Sequence, residues 1–150
     1  MTERFRVSTT RSGRRRNVQI VVYDDVAELR RAASHYRGEP EGEFANACGI
    51  SQPRCGAEVT DDGVKRFPGA GTIRLWKGQM GAAVVAHECF HMALSIYRED
   101  FDYQDIRYAR DDEPAHLSLA DMANEEVLCH IASDLVRSVN HKLWNLGVYA

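Results

Sequence analysis

No stretch of this chain is apolar for the roughly 18–20 residues that a membrane span requires, so no transmembrane helix is expected. Nor does an apolar segment follow the charges of MTERFRVSTT, so this stretch is not expected to be a secretory signal. Proline is scarce, at 4 of 150 residues, and no repeat or low-complexity tract breaks the sequence. Charge of one sign is also missing: a net −3 gives no global attraction to nucleic acid or to a membrane surface. The four cysteines are enough for two disulfides, but Cys89 and Cys129 fall inside predicted helices, where free buried thiols are common. Reduced thiols and a cytoplasmic setting are therefore expected. What remains is the composition of an ordinary globular protein, 44% hydrophobic and 27% charged, of a length that suits one domain over residues 1–150.

The apolar pattern divides this domain into elements. Phe5, Val7 and Thr9, a Ser12–Gly13 turn, then Val18, Ile20 and Val22 follow the period-2 pattern of a β-hairpin. Six arginines in the first 16 residues are expected on its wet face and at its tip. Asp24–Asp25 is a natural N-cap for a helix with apolar positions Val26, Leu29, Ala33 and Tyr36, ending at Gly38. Residues 38–56 read as loop, and AEVT and VKRF around Asp62–Gly63 as a small hairpin. GTIRLW (71–76) reads as a strand, followed by a helix from Ala82 to Tyr97. Residues 98–113 form an acidic connector. Asp112 and Pro114 then mark the start of a last helix, which runs on to Trp144. The fold class is α+β.

The chemistry is concentrated in VVAHECFHMALSIYRED (84–100). Residues four apart lie one above the other on a helix, so His87 and His91 can aim ring nitrogens at one ion, about 2.0–2.1 Å from each for zinc. Glu88, turned ~100° from His87, is badly placed as a ligand but well placed to take a proton from water. The alternative is a pair of core histidines satisfied by backbone carbonyls. The strand GTIRLW is expected to present an open edge beside this helix, to which a substrate backbone can add.

HECFH (87–91) and NEEVLCHIASD (124–134) resemble the motifs of the HExxH zinc metallopeptidases of the zincin class, specifically the gluzincins. The compact length looks like the minigluzincin domains of phage- and plasmid-borne proteins. The resemblance covers roughly residues 70–140 and implies a small zincin-like domain with an N-terminal hairpin or sheet. It further implies an edge strand beside the HExxH helix, a third zinc ligand on the later helix, and a peptide or protein substrate. In the family pattern a small residue follows the ligand glutamate by three positions. From Glu126 that position is Cys129; from Glu125 it is the bulky Leu128. The helical wheel weighs the other way, with Glu125 near the middle of the arc of Leu128, Cys129, Ala132, Leu135 and Val136, and Glu126 at its edge. The expected ligand set is His87, His91 and Glu126, with Glu125 as the alternative third ligand. His130 stands where relatives often carry a supporting acid. Tyr97, Tyr103, Tyr108 and His116 are available to polarise a scissile carbonyl.

Two other constellations compete. Cys48 in ACGISQPRC (47–55) lies 39 residues before His87, a pairing similar to that of the peptide deformylases, although the flanking motif matches poorly. This would make the protein a deformylase-like amidase. The cluster RSGRRR could contact phosphates through Arg11, Arg14, Arg15 and Arg16, making the domain a partner- or nucleic-acid-binding module whose zinc site is structural or vestigial. The absence of interleaved aromatics and the acidic remainder of the chain weigh against nucleic acid. The acidic connector is expected either to fold back on this cluster or to flank the cleft.

Overall fold

The computed structural model of the protein describes residues 2–54, 57–101 and 119–149. The chain begins with strands β1 (Glu3–Thr9) and β2 (Arg16–Tyr23), followed by helix α1 (Val26–Arg37), a 3₁₀ turn (Glu41–Phe44) and strand β3 (Gly49–Pro53). Strands β4 (Ala57–Thr60), β5 (Gly63–Arg66) and β6 (Gly69–Trp76) come next, then helices α2 (Ala82–Asp100) and α3 (Leu119–Asn145). Four strands form one mixed sheet in the order β1-β2-β6-β3, while β4 and β5 pair apart as the small hairpin expected around Gly63. The result is an α+β fold, with three α-helices among the described residues. None of these helices is long and apolar enough to cross a membrane.

β2 is buried almost throughout because it is central and covered on both faces. Val18, Ile20 and Val22 face the larger core, where they meet Ile73 and Leu75 of β6 and the buried stripes of α2 and α3. Val21 and Tyr23 face α1 through Leu29. Beneath that helix lies a polar brace. Arg74 donates to Gln52 and to the Tyr23 hydroxyl, and Gln52 donates to the carbonyl of Ala33 on α1. Helix α1 starts and stops as its sequence predicts: the Asp25 carboxylate accepts from the Ala27 N–H at 2.9 Å, and Gly38 closes it in the left-handed region.

Three expectations change. First, residues 38–56 are not all loop, since they contain β3, which pairs antiparallel with β6. Second, β6 is therefore an interior strand, and the sheet edge beside α2 is β3. β3 escapes sequence reading because it is only five residues long, begins with Gly and ends with Pro, and has its one fully buried side chain in the polar Gln52. Third, the hairpin arginines are not all on a wet face. Arg16 is fully buried, with Nη2 2.7 Å from Glu99 Oε2 and Nη1 2.6 Å from Asp100 Oδ1. Arg14 adds a contact at 2.7 Å to Asp100, which also accepts from the Ser12 hydroxyl. These partners carry α2 to Asp100, three residues past its expected end at Tyr97. They also mean that the connector's first two acids do fold back on the basic cluster. The start of the last helix, expected at 112–114, lies outside the described residues.

Candidate metal centre and groove

α2 turns one stripe, Val85, Cys89, Met92, Ala93 and Ile96, into the core. His87 and His91 project from another side, exposed, with Nε2 atoms 3.0 Å apart and rings edge to face at 77°. Two donors so close can serve one ion at zinc–nitrogen distances of about 2.0–2.1 Å. The same separation also allows one neutral ring to donate to the other. Among the described residues no backbone carbonyl holds either ring, as would be expected for a pair of core histidines.

Glu88 is different. It is only 7% exposed, wedged between α2 and β3, and its carboxylate accepts from the backbone N–H of Ser51. Burial pushes its carboxyl above the ordinary carboxylate range, while His87, His91 and the Ser51 N–H partly offset the rise. Gly49 makes the wedge possible, because a Cβ there would lie 2.9 Å from Val84 Cγ1 and 3.0 Å from Glu88 Cγ.

A groove of about 540 Å³ runs from Glu88 and His91 along α2 past Ser95 to Arg98, with Ser51 and Pro53 on the opposite wall and Arg37 at its far rim. A second hollow of about 360 Å³ lies on the other side of Glu88, between Cys48, Val84 and His87. The outer edge of β3 borders this site. The Trp76 N–H donates to the Cys48 carbonyl and the Arg54 N–H to that of Ala70, so even-numbered residues of β3 face β6. The backbone groups of Gly49 and Ser51 consequently point away from the sheet.

The remaining candidates are scattered. Glu126 is 70% exposed on α3, with Oε1 3.3 Å from His130 Nε2, and Glu125 is half-buried beside it. Among the described residues no third His, Cys, Asp or Glu gathers with the histidine pair. Tyr97 is buried and stacks on Phe101 at 5.0 Å between centroids, while Tyr103, Tyr108 and His116 lie outside the described residues. Cys48 donates its thiol to Gln79 Oε1, and Cys89 is buried, its thiol pushed up to about 12. Of the basic cluster, Arg14 and Arg16 are held by Glu99 and Asp100, whereas Arg11 and Arg15 are exposed. Sequence reasoning missed Gly49, Ser51, Arg37 and Arg98, all of which depend on where β3 lies.

Compared with models of known protein families, with curated proteins and with solved structures, the chain matches none.

Proposed function

We propose that the protein is a small zinc-dependent hydrolase, a peptidase with a zincin-like arrangement of edge strand, HExxH helix and later helix. The observation that carries this reading is the convergence of two Nε2 atoms to 3.0 Å beside a buried carboxylate at the head of a groove. A zinc ion held by His87 and His91 would supply Lewis acidity to an amide carbonyl and to water. Glu88 moves the proton, accepting it during attack and returning it to the leaving amine. A carboxyl raised by burial is a better acceptor for that purpose than an ordinary one. The Ser51 N–H fixes the orientation of that carboxylate. The outward N–H and C=O groups of Gly49 and the C=O of Ser51 offer an extended substrate a short backbone ladder. Glu126 is the proposed third ligand, which requires it to exchange His130 for the ion; Glu125 is the alternative. Free thiols at Cys48, Cys89 and Cys129 fit a reducing, cytoplasmic setting.

The experiment is elemental analysis of the purified protein together with assay of Glu88→Gln on a peptide library. One zinc per chain, lost in His87→Ala and His91→Ala, and hydrolysis that disappears in Glu88→Gln are expected. A metal-free protein, or a Glu88→Gln variant as active as the parent, ends the proposal. A second reading, a deformylase-like amidase, is favoured by one observation: Cys48 lines the same hollow as His87 and Glu88. In that case Cys48→Ser loses zinc and Glu126→Gln keeps it. The rival in which the domain works by binding through its arginines has fewer free cations than the sequence suggests, because Arg14 and Arg16 are already paired. It predicts that replacing Arg11 and Arg15 abolishes function while Glu88→Gln changes nothing.

A further inference from the structure

The groove is electrically lopsided. At one end stands Glu88; at the other stand two arginines, Arg98 on α2 and Arg37 at the end of α1. Arg98 makes no ion pair with any described residue, although its next two neighbours in the chain are acids. Glu99 and Asp100 are turned roughly 100° and 200° further round the helix, and they are bound to Arg14 and Arg16. The hairpin thus engages the two acids that follow Arg98 in the chain. Arg37 has only a loose contact with Glu39 at 3.9 Å, both side chains 44% exposed, which holds it weakly. Among the described residues Glu88 is the single acid lining this groove, and it lies at the opposite end.

We infer that the arginine end of the groove selects a carboxylate of the substrate, held by Arg98 with Arg37; this rests on the peptidase reading of the same groove. The distance sets where that carboxylate sits. From His91 to Arg98 is seven residues, two turns of helix or about 10.5 Å. An extended peptide covers that span in about three residues at 3.3 Å each. The bond cut therefore lies about three residues from an aspartate or glutamate, or from a chain-terminal carboxylate. The neutral stretch between, lined by Leu94 and Ser95, makes no charge demand on the residues in the middle.

The test uses full-length protein carrying Glu88→Gln, so that peptides stay uncut, and reads fluorescence anisotropy of labelled ten-residue peptides. One glutamate, or glutamine in its place, is walked along a neutral sequence, each peptide being made with a free and with an amidated C-terminus. At one position glutamate is expected to bind about five- to tenfold tighter than glutamine, the scale of a charge-assisted contact at a half-open site. Preference for the free terminus instead identifies the chain end as the source of the carboxylate. The preference disappears in the Arg98→Gln/Arg37→Gln variant, whose unchanged thermal midpoint shows an intact fold, and Arg98→Glu shifts it toward lysine. Equal binding of all four peptide forms, or a preference that survives loss of both arginines, overturns the inference. Failure of the peptidase reading looks different: no zinc and no cleavage, whatever the carboxylate preference. Zinc-dependent cleavage indifferent to carboxylates sinks this inference alone.

Discussion

Helix α2 carries two polar clusters, and they obey opposite rules. Near its C-terminus, Glu99 and Asp100 meet Arg14 and Arg16 in a buried network whose charges nearly cancel. In its first half, His87 and His91 point outward against each other, and Glu88 is buried beside them with a single backbone donor, its burial only partly offset by the two rings. The first cluster is complete within the chain, so its business is to hold the hairpin to the helix. The second is incomplete within the described residues, so it has capacity left for something from outside.

Mutating each cluster in turn tests this contrast. The largest effect is expected for Glu88→Gln: a fall in kcat of about 10²–10⁴-fold, the usual contribution of a positioned general base, with a thermal midpoint unchanged or raised because burial already disfavours the charge. If stability collapses with activity, Glu88 belongs to the structural class and the contrast fails. Next comes Arg16→Ala, which takes the fully buried cation from two carboxylates that Arg14 still touches, and should cost up to about 3–5 kcal/mol in urea unfolding. Arg98→Ala, only seven residues beyond His91 but exposed, should stay within about 0.5 kcal/mol of the parent. An effect smaller than that of Arg16→Ala is expected for Gly49→Ala. Its Cβ has to displace Val84 and Glu88, so kcat drops several-fold while the histidine pair still retains zinc. The mildest probe is chemical. Maleimide labelling of native protein, read by peptide mass spectrometry, should modify exposed Cys129 and leave Cys89 untouched, since its thiol is buried and pushed up to about 12. Rapid labelling of Cys89 would mean that the core face of α2 opens readily.

Local signals explain what was legible. The β1–β2 hairpin, α1 with both caps, and the start of α2 follow from period, Asp25, Gly38 and the apolar stripe, each acting within a few residues. The helical spacing of His87 and His91 fixed their convergence in the same way. What escaped depends on distant partners. Arg16 finds its acids 83 and 84 residues away, which no pattern at the hairpin announces. β3 is a strand because β6 pairs with it and α2 covers it, while its own five residues have little strand character. With β3 hidden from the sequence, β6 reads as the edge, and the groove's opposite wall, the role of Ser51 and the setting of Arg98 stay out of sight.

The end of β3 has a consequence for the molecule in company. An open sheet margin invites any extended neighbour to zip on, including another copy of the same chain. Here the outward row has Ser51 committed to Glu88 and then reaches Pro53, which has no hydrogen to give. A visitor is met by a foothold too short to seed a fibre; on the peptidase reading it is still long enough to steady a guest that stays briefly and departs in two pieces.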